Sequence, residues 1–208
     1  TGETLTHWPG ADGTKENSVR QYLSSIDNAW LALALLIAQK AKPHLAGEIQ
    51  EILDQMDFEY FFDDRAEEVR GGFDVDVGKF DLFHYPRHLI SEPRIITWVN
   101  AALKKDPKER RRILSRLLDR EGRIPNELAG GAMFEILMPR LFIREKYLDE
   151  RVRTFVKMHL ESGDKWGRSV GDDPNLPDFP YSENGFGGNH PQKDFITSHG
   201  IALVLSVF

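Results

Sequence analysis

The sequence predicts an all-α fold: a toroid of helical hairpins, present as an arc of about seven helices joined by long loops. Three observations carry this. From Ala29 to Ala38 no residue is polar, the pattern of an inner helix packed on all sides. Elsewhere apolar residues fall on single stripes, at Leu45, Ile49, Ile52, Leu53 and Met56 and again at Leu148, Val152, Phe155 and Val156, the pattern of outer helices with one solvated face. Two long connections rich in Gly, Pro and aromatics, 63–86 and 163–192, separate the helices at alternate junctions. The helices are too few for a closed ring, so an arc is expected.

Taken in order, residues 1–21 are polar and broken by Gly10 and Gly13, and are expected to form an irregular N-terminal arm; residues 22–208 form the helical domain. Ser24, three residues before Asp27, reads as the cap of the inner helix. Pro43 breaks the chain before a second helix from about His44 to Phe62. From Asp63 to Pro86 polar and apolar residues alternate roughly every two, which reads as a long connection or a short hairpin and a candidate wall of a binding site. Ser91-Glu92-Pro93-Arg94 opens a third helix, Ile95 to about Lys104. A fourth runs Pro107 to Asp119, with Ile113, Leu114, Leu117 and Leu118 inward and its arginines on a solvated face. Gly130 to Pro139 is a short apolar helix in which Glu135 stands out, since a carboxylate among Met133, Phe134, Ile136 and Leu137 must be paired, hydrogen-bonded or placed at a cavity. A last amphipathic helix spans Glu145 to Ser162.

Composition narrows the function. The 208 residues suffice for a domain with a substantial core, and a net charge of -6 argues against a non-specific nucleic-acid surface. The absence of cysteine excludes disulfides and thiolate metal sites. His84 and His88 have helical metal-ligand spacing, but Pro86 interrupts it, and Gly185-Phe186-Gly187-Gly188 reads as a turn; neither a metal nor a cofactor is expected. No apolar run is long enough to span a membrane. Thr1 in place of a start methionine suggests processing, which favours a periplasmic or secreted location over a cytoplasmic one.

Five segments then coincide in order: Ser24-Ser25-Ile26-Asp27-Asn28-Ala29-Trp30; Met56-Asp57-Phe58 with Gly71-Gly72-Phe73; Ser91-Glu92-Pro93-Arg94-Ile95; Gly131 to Pro139; and Phe195-Ile196-Thr197-Ser198-His199-Gly200. Together they resemble the bacterial glucoamylase-like domain family. The resemblance implies an (α/α)6 barrel, of which this chain would be the C-terminal part, and a glycoside hydrolase whose relatives act on β-1,2-linked glucans. The sequence departs from the family at Glu127-Leu128-Ala129-Gly130, where a Ser-Trp pair is usual, and at Thr197-Ser198-His199, where Thr-Pro-His is usual.

Glycoside hydrolysis needs one protonated and one ionised carboxyl group. The resemblance points to Glu92, Asp27 and Glu135 as catalytic carboxylates; their bland alternatives are a first-turn acid, a cap and a paired core group. Asn28, Trp30, Arg94, Trp166 and Tyr181 are candidate substrate-binding residues, the aromatic ones as platforms for a sugar ring. The substrate is expected to be an oligo- or polysaccharide. The alternative is a non-catalytic carbohydrate-binding or scaffold domain that keeps the helical fold. The apolar surfaces at 31–38 and 201–208 lead to the expectation of a longer polypeptide or of self-association.

Overall fold

The computed structural model describes residues 7–9, 16–18, 21–80, 82–85, 91–118, 133–161, 171–172 and 181–182. They fall into two units, one comprising Thr1–His88 and Ile95–Arg116, the other Leu89–Arg94 and Leu117–Phe208.

In the first unit β1 (His7–Pro9) and β2 (Glu16–Ser18) pair antiparallel, so the N-terminal arm is not wholly irregular. A short strand, β3 (Tyr22–Ser24), leads directly into helix α1 (Ser25–Ala41). Ser24 is its cap as the spacing predicts: the backbone is extended there and Oγ accepts a hydrogen bond from the Asp27 N–H at 3.2 Å. The expectation that α1 is packed on all sides is overturned. Ala29 and Ala32 are fully buried, but Leu31 and Ile37 remain 50% and 45% exposed. The helix presents one small-residue face to its neighbours and lies on α2 (Ala46–Leu53), where Gln39 Nε2 donates to the Ala46 carbonyl and to Gln50 Oε1.

The second helix also ends earlier than the stripe suggests. Past Leu53, Asp57 takes an extended conformation and its carboxylate accepts from the Glu59 N–H, capping a new 3-10 turn, Phe58–Phe61, that buries Phe58 and Phe61. A local side-chain acceptor thus competes successfully with helix continuation.

The fold is not all-α. The stretch read as a long connection or a short hairpin contains β4 (Phe62–Asp63), β5 (Glu68–Arg70), β6 (Gly72–Asp74), β7 (Lys79–Phe80) and β8 (His84–Tyr85). These strands, with β3, form two three-stranded antiparallel sheets, ordered β3-β6-β7 and β4-β5-β8. Cross-strand aromatic contacts account for the difference. Phe73 faces Phe80 in register with ring centroids 5.3 Å apart, and Tyr60 lies over Phe80 at 4.6 Å, so ordering the segment is offset by buried ring area and paired backbone groups. Helices α3 (Arg94–Leu103) and α4 (Pro107–Leu118) match their predicted spans closely, and Ile95, Ile96, Val99 and Ile113 supply core residues.

In the second unit α5 (Met133–Leu137) passes into a 3-10 turn, Met138–Leu141, where Pro139 ends the regular helix. Helix α6 (Asp149–Glu161) buries Val152, Phe155 and Val156 on the predicted stripe, together with Leu148 just before it. Strands β9 (Gly171–Asp172) and β10 (Tyr181–Ser182) pair antiparallel within the second long connection. Among the described residues no helix is long and apolar enough to cross a membrane.

Candidate functional site

The first unit brings the first two of the five sequence segments together at the N-terminus of α1. Ser25 is fully buried; its backbone N–H donates to the Gly71 carbonyl at 3.0 Å, and its hydroxyl lies 2.7 Å from the Arg70 carbonyl and 2.9 Å from that of Gly71. Strand β3 lies against β6 with Ser24 opposite Gly72. A side chain at Gly72 would not fit, since a Cβ there would stand 2.4 Å from the Leu23 carbonyl oxygen and 2.5 Å from the Tyr22 ring. Gly72 is therefore what lets the sheet close onto the helix mouth.

Beside this junction is a cleft of about 440 Å³. Its apolar wall includes Leu23, Met56 and the rings of Phe58, Tyr60, Phe61 and Phe73. Its polar groups are Asn28, Gln55 and Asp57. Asn28, a predicted binding residue, is thus on the wall, while its neighbour Asp27 is exposed in the first turn of α1 and Trp30 is half-buried one turn further on. The carboxylate that lines the cleft is Asp57, not one of the three expected catalytic groups.

The second unit organises the other carboxylates around one guanidinium. Arg94 is fully buried; its Nε donates to both carboxylate oxygens of the equally buried Glu145, at 2.8 and 2.9 Å. Nη1 donates to the Ser91 carbonyl at 3.0 Å and the Glu135 carbonyl at 3.3 Å, and Nη2 to the Ile136 carbonyl at 2.7 Å. Arg94, whose place two residues after Glu92 suits orienting a carboxylate or holding a sugar hydroxyl, turns its donors to protein acceptors away from solvent, the Glu145 carboxylate among them. Its role is to hold the backbone beside Glu92 and that of Glu135 on the same nitrogen. Glu92 and Glu135 themselves are half-buried.

Two further carboxylates in the first unit are electrostatic anchors. Burial is the largest influence on Glu59 and pushes its pKa up, but hydrogen bonds from Arg116 and Asn100 and the charges of Arg116 and Arg112 outweigh it, and the carboxyl titrates below its ordinary value. Arg116, expected on a solvated face, instead pairs with Glu59 and stacks 3.7 Å above the Phe62 ring. Asp63 is held low first by the Arg65 N–H, then by His84 and the Ala66 N–H, and by the Arg70 charge.

No protein-family model matches the chain. Searches of curated proteins and of solved structures likewise return no match.

Trp166 lies outside the described residues, as do His88, residues 119–132 and 201–208, and the Phe195–Gly200 segment; Tyr181 is placed in β10, opposite Asp172. Sequence reading missed Asp57 and Tyr60 as wall residues, whereas the 63–86 segment, a candidate wall, contributes Phe73. The available signal was the dense aromatic run Phe58-Glu59-Tyr60-Phe61-Phe62 directly after a helix end, facing an alternating segment that opens with two glycines.

Proposed function

We propose that the chain is a glycoside hydrolase acting on a β-linked glucan of the β-1,2 type by carboxylate acid/base catalysis, as its resemblance to the bacterial glucoamylase-like family implies. The observation that carries the reading is the Arg94 guanidinium, which ties the segment carrying Glu92 to Glu135 through two carbonyls on one nitrogen. Fixing two carboxyl-bearing segments against each other is what glycosidic cleavage requires: one group protonates the departing oxygen while the other activates water or attacks the anomeric carbon. In this reading Glu92 and Glu135 form the working pair, and Asp27 is the remaining carboxylate to be tested. No metal or cofactor is part of the proposal.

A second reading is favoured by a specific observation. The cleft of the first unit is walled by aromatic rings, two amides and Asp57 and by none of Asp27, Glu92 or Glu135, which suits a non-catalytic carbohydrate-binding domain. Incubating the protein with linear glucans of defined α and β linkage and measuring new reducing ends separates the two. Release from β-linked glucan supports the hydrolase; saturable binding without release supports the binding domain.

A further inference from the structure

We propose that the cleft of the first unit is a subsite for a neutral pyranose, which it recognises by accepting hydrogen bonds from the sugar's hydroxyls beside an aromatic platform. The proposal rests on the carbohydrate-directed reading above but not on turnover.

The polar wall offers several open acceptors, and each of its two amides has already committed one of its two N–H groups to the backbone. The Asn28 amide nitrogen donates to the Ser24 carbonyl at 2.7 Å, and the Gln55 amide nitrogen to the Glu51 carbonyl at 3.1 Å. Because both partners can only accept, the orientation of each amide is determined, and each amide oxygen is left without a protein donor among the described residues. Asp57 uses Oδ1 to cap the Phe58–Phe61 turn, and Oδ2 has no protein donor among the described residues. Three acceptor oxygens therefore belong to residues of one wall, and among the described residues no lysine or arginine lines it.

A ligand that fits must bring donors and must not be an anion, which would meet Asp57 with no compensating cation. The apolar wall adds the second requirement. Tyr60 is 48% exposed, yet its ring is set by Phe80, Phe73 and Phe61, at centroid distances of 4.6, 5.7 and 5.7 Å, so it offers a fixed ring to solvent. A pyranose satisfies both conditions, with C–H groups on its faces and hydroxyl donors on its rim. The cleft volume of about 440 Å³ lies within the roughly 300–1,000 Å³ of small-molecule sites.

The test is calorimetric titration of the intact protein with β-1,2-linked glucotetraose, with a uronic-acid oligosaccharide and with phenyltrimethylammonium, repeated on Tyr60→Ala and Asp57→Asn. The Asn variant keeps the capping oxygen and replaces the spare one by an amide donor, so it tests recognition without disturbing the turn. The expected result is binding of the neutral oligosaccharide alone, weakened about tenfold or more in each variant, which corresponds to about 1.4 kcal/mol or more. Unchanged affinity in both variants, preference for the ammonium or the uronate, or no binding of the neutral sugar would overturn it. Cleavage of glucan with KM unchanged in both variants would leave the hydrolase reading standing and remove the subsite. Binding through the cleft without cleavage would do the reverse.

Discussion

Replacing Glu145 by Gln removes the counter-charge of a guanidinium that has no access to water, since both side chains of the pair are 0% exposed. The amide oxygen can still accept one bond from Arg94 Nε, but the amide nitrogen that replaces the second oxygen presents a donor to a donor. The three carbonyl partners of Arg94 remain, yet dipoles do not neutralise a buried charge. Breaking a buried ion pair in this way costs about 3–5 kcal/mol, a large share of the roughly 5–15 kcal/mol that holds a domain folded. With a urea slope of about 1–3 kcal/mol/M, the unfolding midpoint should fall by about 1–5 M. Urea denaturation followed by circular dichroism reads this directly. The double variant Arg94→Met with Glu145→Leu removes both charges and should be less destabilised than Glu145→Gln alone. A midpoint within about 0.3 M of the parent for the single variant, or a double variant worse than the single, would refute the reasoning.

Gly72→Ala forces a Cβ against the Leu23 carbonyl and the Tyr22 ring; the ring can swing aside but the backbone cannot, so a loss of about 1–3 kcal/mol is expected in thermal or urea unfolding, and an unchanged midpoint would contradict the close approach. Ser25→Ala leaves the Arg70 and Gly71 carbonyls without the buried hydroxyl and should cost about 1–3 kcal/mol by the same assay, with an effect below about 0.5 kcal/mol counting against the junction. Glu59 has a depressed folded-state pKa, so its stabilising contribution is present above the unfolded value of roughly 4 and is lost as the pH falls through the lower folded value. Glu59→Gln should therefore narrow the gap between urea midpoints at pH 7 and pH 3, and an identical gap in the two proteins would speak against the assignment.

Helices whose ends carry backbone-level signals were legible in the sequence. Ser24 caps α1, Pro107 opens α4, and the stripe Leu148, Val152, Phe155 and Val156 is buried as its spacing implies. What misled was treating hydrophobicity as burial. Leu31 and Ile37 are as apolar as any core residue but face solvent in α1, because nothing in a run of Ala and Leu says which face a neighbour will cover. The two sheets were hidden for a different reason. The alternation over 63–86 allows a short hairpin, but strands of two or three residues are too short to show how many there are or how they pair, and their stability comes from partners distant in sequence, such as Ser24 with Gly72 and Val69 with Tyr85.

The site was legible in part for the same reason. Asn28 could be singled out from its position at a helix mouth, whereas Asp57 and Tyr60 gain their place only once the chain turns at the capped 3-10 segment. Arg94 was noticed as a charge beside Glu92, suited to orienting a carboxylate or holding a sugar hydroxyl. Its burial follows from Glu145, 51 residues away, a pairing that no local pattern reveals.

The most direct measurement is the rate of reducing-end release from β-1,2-glucan by the parent protein and by Glu92→Gln and Glu135→Gln, each shown to be folded by circular dichroism. The account predicts measurable turnover in the parent and a loss of about 10²–10⁴ in kcat in each variant, the usual worth of a positioned acid or base. Turnover that survives undiminished in both variants, or a parent protein that binds the glucan and never cleaves it, would contradict it.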